Sequence, residues 1–318
     1  MTIGADYFSD ELPTEPRFVP VFAPDLGIYP IESEYKVALI PMHLTKKHIT
    51  FVEKRTVDNE SFNMATINPN LVESVYESLV SKIKAACEAG ARVVCCSEYC
   101  YPLVMHDKLS KELAALSQQH RSYIVAGSSV NTDPLRRAYN TSFIFTPSRS
   151  NPEPLSQHKT QAGWLLGELE GIEVPTLKTV KVLHTQYGTM AVLICASTTD
   201  KDIQYGLRYL NSMKKLYEPI DLVVSIAYSA EAAKMQSYSE YISGFAKTCV
   251  AFVNDMTYGD LCGLYVCGEQ QIECLHPPEL LAAESAYGPI HLYSLDLTRA
   301  RNKRIEGLPA PCHKDSVK

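Results

Sequence analysis

Polar and apolar positions follow two rhythms along this chain. Short unbroken apolar runs recur at Lys36–Met42, Ala91–Cys96, Tyr123–Gly127, Ser142–Pro147, Val180–His184, Gly188–Cys195, Asp221–Ala227 and Cys249–Asn254. Runs of this length, rich in β-branched residues, predict strands, and the most continuous ones predict strands covered on both faces. Between them the spacing turns helical. Leu71, Val75, Leu79 and Ile83 recur every four residues from a start near Asn70, with Asn68 or Asn70 as cap and Gly90 at the stop. Leu109, Leu113 and Leu116 mark a second helix from about Asp107 to His120. Ile203, Leu207, Leu210, Met213 and Leu216 mark a third, and Ala233 to Lys247 reads as a fourth. Shorter strands are predicted near Leu264, near Ile272 and over His291–Leu297. The stretch between Met42 and the first helix reads as a polar connection, Pro152–Pro175 as irregular, and Arg299–Arg304 as a basic turn of the kind that solvates a helix end.

Strand, helix and strand joined by short connections favour parallel βαβ pairing. The polar link before Ser142 and the one before Gly188 suit hairpins instead. Roughly a dozen strands interleaved with four long helices, in this mixture, predict an α/β fold of two mixed sheets packed face to face with helices outside. No repeat or low-complexity linker divides the chain, so residues 35–305 read as one domain. Residues 1–34 differ: prolines stand at 13, 16, 20, 24 and 30, and seven acidic residues face one basic one. They read as an extended arm whose Phe18, Val19, Val21 and Phe22 either dock on the domain or a neighbouring subunit, or leave a loose tail. Residues 306–318 read as a polar tail.

Composition narrows the functional classes. Of 318 residues, 46% are hydrophobic and 21% charged, as in an ordinary globular protein. A net charge of −6 without a long basic run argues against a nucleic-acid surface or an anionic membrane patch. No apolar stretch approaches bilayer length, and the N-terminus lacks the basic and apolar regions of a signal peptide, so a reducing cytoplasm is expected. Ten cysteines fit that setting, since Cys95, Cys96, Cys195 and Cys249 lie inside strand patterns where core burial accounts for them. Metal-ligand spacing is poor: there is no CxxC and no HExxH, and His43 with His48 is a weak pair, so neither metal nor cofactor is expected.

The chemistry concentrates at strand ends. Cys195 closes the most continuous apolar run and is followed by small polar residues, Ala196-Ser197-Thr198-Thr199-Asp200, before a helix begins. The carboxyl end of a sheet is where α/β proteins bind ligands, and a helix start favours a thiolate. The same pattern also fits an inert buried cysteine. Glu98 closes the run Ala91–Cys96 and is either a solvated strand end or a general base. Lys159 sits in an irregular stretch, where a lysine is commonly a surface residue. Together the three make sense as nucleophile, base and fixed cation for attack on a carbonyl or nitrile carbon. The nearest histidine in sequence, His184, leaves a Cys–His pair as the alternative.

These residues, in this order and setting, resemble the carbon–nitrogen hydrolase (nitrilase) superfamily. The similarity rests on Val93-Val94-Cys95-Cys96-Ser97-Glu98, on Ser156-Gln157-His158-Lys159 and on Gly188-Thr189-Met190-Ala191-Val192-Leu193-Ile194-Cys195. Ala126-Gly127 and Tyr139-Asn140-Thr141-Ser142 agree with it, as do Asp221-Leu222-Val223-Val224, Phe245–Asn254 and Leu295-Asp296-Leu297. The match runs from about residue 35 to 305. It implies an αββα fold that pairs into a homodimer or larger homo-oligomer, and thiol-dependent hydrolysis of a small non-peptide amide, carbamoyl compound or nitrile. Cys195 would carry the covalent intermediate, Glu98 would be the base and Lys159 the stabiliser. Glu168 is assigned as the second glutamate of the family, with Glu170 and Glu173 as alternatives, and Trp164, Ala196 and Ser197 are assigned to the substrate pocket. Two departures stand out: Ser97 replaces the usual proline, and Ala196-Ser197 replaces an aromatic-containing pair. They motivate a second reading, a catalytically silent module that binds a ligand or partner.

Overall fold

The computed structural model describes residues 16–22, 32–57, 60–132, 137–148, 153–166, 168–175, 177–212, 219–273 and 289–306. They form seventeen strands and five α-helices. The strands are β1 (Arg17–Phe22), β2 (Glu34–Ile40), β3 (Ile49–Val57), β4 (Glu60–Ile67), β5 (Ala91–Cys96), β6 (Tyr123–Thr132), β7 (Ala138–Phe145), β8 (Leu155–His158), β9 (Trp164–Leu165), β10 (Glu168–Leu169), β11 (Thr179–Thr185), β12 (Gly188–Ile194), β13 (Leu222–Ala227), β14 (Cys249–Asn254), β15 (Cys262–Val266), β16 (Glu269–Gln270) and β17 (His291–Asp296). The helices are α1 (Val72–Glu88), α2 (His106–His120), α3 (Lys201–Ser212), α4 (Ala232–Ala246) and α5 (Leu297–Glu306).

Two mixed sheets carry the architecture. The larger has seven strands in the order β1-β11-β12-β13-β14-β15-β16, and the smaller has six in the order β17-β2-β5-β6-β7-β8. In the larger sheet β12, β13 and β14 run parallel, and in the smaller β2, β5 and β6 do. Every residue of β12, β13 and β14 is buried, which is why these strands read as continuous apolar runs. Alternation assigns the two faces of β2: Val37 and Leu39 join the core between the sheets, while Ala38 and Ile40 face α1 and α2. Ile203 and Leu207 of α3 and Met235 and Ile242 of α4 cover the outside of the larger sheet. The result is the expected α–β–β–α layering.

Some local outcomes differ from the sequence reading, and one decides between its two alternatives for the N-terminal arm. The connection after Met42 holds an antiparallel ribbon, β3–β4. Ile272 lies outside any strand and is 92% exposed, because β16 ends at Gln270. Part of the N-terminal arm is an edge strand: β1 pairs in parallel with β11, an edge position that tolerates Pro20. The Phe18 ring packs so tightly under α3 that a Cβ on Gly206 would come within 2.5 Å of it. Finally, Arg299–Arg304 belongs to α5, and two of its arginines turn inward. Arg301 donates to Asp221 through Nε (3.0 Å) and Nη2 (2.6 Å), and Arg304 Nη2 donates to the same carboxylate at 3.1 Å. Burial alone would raise the Asp221 carboxyl, but the two guanidiniums hold it below its usual range. This ion cluster sits at the amino ends of β12 and β13, opposite the carboxyl ends where the candidate site lies.

Candidate active site

The two sheets meet at the carboxyl ends of β5, β12 and β13. The backbone N–H of Glu98, just past β5, donates to the carbonyl of Ala227 at the end of β13 (3.4 Å), so the sheets are bonded to each other beside the site. Tyr228 N returns a bond of 2.9 Å to Glu98 Oε2. The other oxygen, Oε1, accepts from Lys159 Nζ (2.8 Å) and from Asn140 Nδ2 (2.8 Å). Glu98 is fully buried, and burial foremost, then the charge of Glu170, raises its carboxyl above the ordinary range against the pull of Lys159.

Lys159 follows β8, whose neighbour β7 supplies Asn140. Its ammonium is 2% exposed and donates to two carboxylates, Glu98 and Glu170 Oε2 (2.6 Å). Burial works against the charge, but Glu170 and Glu98 outweigh it and hold the lysine protonated well above its usual range. Lys159 is therefore a fixed cation and not a base. Of the three carboxylates weighed after it in sequence, Glu170 is the one the structure places against the ammonium. Glu170 Oε2 also accepts from Gly163 N (3.1 Å), and Oε1 accepts from Asn140 Nδ2 (2.7 Å) and from the Tyr99 hydroxyl. Glu168 lies two residues earlier on β10, with its side chain outside the described residues, and Glu173 is exposed. Asn140 thus spans the two carboxylates with one amide nitrogen, while its Oδ1 and the hydroxyl of Thr160 are buried with no hydrogen-bond partner among the described residues.

Cys195 leaves β12 with φ +46°, a left-handed value that L-residues adopt at a cost. This sharp strand-to-turn elbow opens a short 3-10 turn, Cys195–Thr199, ahead of α3. Cys195 is 9% exposed, and Glu98 and Lys159 are the charged groups that act most strongly on its thiol. Burial foremost and the charge of Glu98 push it upward, against Lys159, so the resting thiol keeps its proton. A proton acceptor in contact with it is then a requirement of any thiolate chemistry. His184 does not supply one. It pairs with Thr189 at the far end of β12 and stacks on Phe22 at 4.1 Å. From Thr189 to Cys195 the strand spans about 20 Å at ~3.3 Å per residue.

The residues where the chain departs from the family pattern are built into the scaffold. Ser97 Oγ accepts from Met42 N (3.1 Å), and Ser197 Oγ accepts from Thr160 N (2.9 Å), tying the Lys159 segment to the cysteine turn. Ala196 lines the same place, since a Cβ added to Gly163 would stand 3.5 Å from that of Ala196 and 3.6 Å from Lys159 Nζ. Trp164 follows Gly163 directly, yet it is 73% exposed on the β9–β10 ribbon.

Sequence reasoning did not single out Tyr99 and Tyr228, and met Asn140 only within the resemblance. Tyr228 stands just past β13, as Glu98 and Cys195 stand just past β5 and β12, so the same strand-end rule reaches it. Tyr99 has φ +63° and its ring meets that of Tyr228 edge-on at 6.0 Å. Burial, with Glu170 and Glu98 beside it, keeps its phenol protonated and donating.

Gly127 sets the height of the Glu98 turn. It sits in a bulge of β6 at φ +79°, and a Cβ there would lie 2.3 Å from Cys100 Sγ and 2.5 Å from the Ser97 carbonyl. Gly127→Ala is expected to cost about 2–3 kcal/mol in urea unfolding, from overpacking and the left-handed backbone together. Unchanged stability would show that the turn yields freely.

The fold is that of the nitrilase superfamily. No family model matches the sequence, and neither does any curated protein. Among solved structures, Saccharomyces cerevisiae Nit3, described as a member of branch 10 of that superfamily, superposes with a TM-score of 0.60 at 14% identity, over 90% of this chain and 98% of that one. An amidase from Nesterenkonia sp. does so with a TM-score of 0.56 at 14% identity, over 87% and 96%. A glutamate-to-glutamine variant of that amidase shows covalent addition of the acetamide moiety of fluoroacetamide at its active-site cysteine, and it superposes at 0.57 with 12% identity over 87% and 95%.

Proposed function

We propose that this protein is a thiol-dependent carbon–nitrogen hydrolase acting on a small non-peptide amide, carbamoyl compound or nitrile. The observation that carries the reading is the convergence of Cys195, at a strained strand end, on a buried carboxylate that also holds a buried ammonium. In the proposed reaction Glu98 takes the thiol proton as Cys195 Sγ bonds to the carbonyl carbon. The negative charge that builds on oxygen is met by the Lys159 ammonium and by backbone N–H of the turn starting at Cys195. Glu98 then returns the proton to the leaving nitrogen, the C–N bond breaks, and a thioester remains on Cys195. Water gives a proton to Glu98 and attacks the thioester, and the acid departs as the thiol regains its proton. Glu170, Asn140 and Tyr99 hold Lys159 and Glu98 in place.

A cytoplasmic, reducing setting that keeps Cys195 as a thiol belongs to the same proposal. So does pairing of two copies through the outer helices, where Tyr205 (63% exposed) and Tyr241 (50%) flank Phe245 in an open aromatic face. Against the silent-module alternative, the two departures from the family pattern, Ser97 and Ser197, bond to the backbone of Met42 and Thr160 and replace none of Glu98, Lys159 and Cys195.

Ammonia release from a panel of small primary amides, carbamoyl compounds and nitriles tests the reading. Turnover is expected with an acid limb above the ordinary carboxylate range. Glu98 must be ionised to accept the proton, and burial together with the Glu170 charge raises its pKa. In Glu170→Gln one raising charge is gone, so the limb should move to lower pH whatever the loss in rate. A limb that does not move would remove Glu98 as the base.

A further inference from the structure

Away from that site, the starts of β15 and β17 bring together side chains the proposed reaction does not use. Asp260 and Cys262 stand at the entry to β15 in the larger sheet, and His291 opens β17 at the edge of the smaller one. A ligand atom from each of the three lies within 4.8 Å of the others. The imidazole is engaged on both sides. Nε2 pairs with Asp260 Oδ1 at 2.8 Å, and Nδ1 faces both carboxylate oxygens of Glu273 at 3.0 Å. An ion triad of Asp260, His291 and Glu273 would be complete without the thiol, but the thiol is there, converging on the same point.

We infer that Asp260, Cys262 and His291 Nε2 form a binding site for a divalent transition-metal ion of the zinc class, with Glu273 as the outer carboxylate. The donor set of one nitrogen, one sulfur and one oxygen suits zinc and excludes magnesium and calcium, which take all-oxygen shells. Charge balances as well: an ionised Asp260 and a Cys262 thiolate neutralise a dication, and binding releases the thiol proton and any proton on Nε2. Glu273 fills the place of the carboxylate that accepts the second ring N–H of a metal-bound histidine and so fixes which nitrogen ligates. Asp260 is exposed, which gives the ion an entry path, and three protein ligands leave one tetrahedral position for water or an incoming group. Bound there, the ion would pin the two sheets together at an edge remote in sequence from Glu98 and Cys195. The ligands escape sequence inspection because Asp260 and His291 are 31 residues apart and meet only through the packing of the two sheets.

The test is Zn2+ titration of the reduced, chelator-stripped full chain, followed by calorimetry and by metal analysis after dialysis. One equivalent per chain is expected in the parent and also in Cys195→Ala, which excludes the other reactive thiol as the source. Cys262→Ser and His291→Ala should each weaken binding at least 100-fold, and Glu273→Gln by about 10–100-fold. With Co2+ the parent should show a near-ultraviolet thiolate charge-transfer band that Cys262→Ser lacks. Circular dichroism checks folding; Cys262→Ser, nearly isosteric, carries the test if His291→Ala does not fold. No saturable Zn2+ binding in the parent, or equal binding in Cys262→Ser, would overturn the inference and leave an ion triad.

Discussion

Lys159→Met is expected to lower stability at neutral pH by about 3–5 kcal/mol, the cost of breaking a buried ion pair from one side, and to abolish turnover. Lys159 Nζ lies 2.8 Å from Glu98 and 2.6 Å from Glu170, and all three groups are buried. Without the ammonium, two buried carboxylates remain, sharing the single Nδ2 of Asn140. They cannot both stay ionised there. One takes a proton, so a carboxyl of the variant titrates at higher pH than Glu98 does in the parent, where Lys159 pulls it down. The sign follows from the direction of the shift. A carboxyl whose folded-state pKa is raised favours the folded state below its unfolded pKa and loses that contribution as pH rises through the folded value. The deficit in Lys159→Met should therefore be small in mild acid and grow toward neutral pH. Urea unfolding of parent and variant across that range measures it. A deficit that is constant with pH, or below about 1 kcal/mol throughout, as for an exposed pair, would show that the lysine is not the counter-ion of a closed carboxylate pair.

The second large effect concerns the elbow at Cys195. Cys195→Ala should remove turnover below detection while leaving the fold intact, because the thiol is the only atom lost and the backbone keeps its shape. Cys195→Gly should be equally inactive but more stable than Cys195→Ala. At φ +46° any Cβ is strained. Relief of roughly 1–2 kcal/mol exceeds the roughly 0.5–1 kcal/mol entropy cost of glycine, leaving a gain of about 0.5–1 kcal/mol. Strain held at one residue at the carboxyl end of a central strand fits a position kept for chemistry, since packing alone gives no reason for it. Thermal unfolding of the two inactive variants side by side measures the difference. Equal stability, or a less stable glycine variant, would mean that the elbow stores no strain.

How much of this was readable in the sequence depends on what each element is held by. The strands β5, β12, β13 and β14 were legible because burial on both faces writes an uninterrupted apolar run. Cys195 and Glu98 were legible because they stand where such runs stop. The ribbon β3–β4 was not. Its apolar start, Ile49 to Val52, is broken by Thr50 and runs into the charged block Glu53-Lys54-Arg55, and the stretch passes for a polar connection. Helix α5 has few apolar residues, and Leu297, Ala300 and the Arg301 and Arg304 bonds to Asp221 hold it, so tertiary contacts decide what propensity leaves open. The choice among Glu168, Glu170 and Glu173 was beyond sequence reading for a related reason. Strands β9 and β10 are two residues each, too short for a periodicity, and the bond from Gly163 N that marks Glu170 is set by their hairpin register.

Intact-protein mass spectrometry after incubation with small amides, carbamoyl compounds and nitriles tests the central claim most directly. The parent should gain the mass of the acyl or imidoyl group at Cys195, located by peptide mapping, and Cys195→Ala should gain nothing. An adduct that persists in Cys195→Ala would contradict the claim. So would turnover without any adduct in a parent whose Cys195 thiol is shown to be alkylatable.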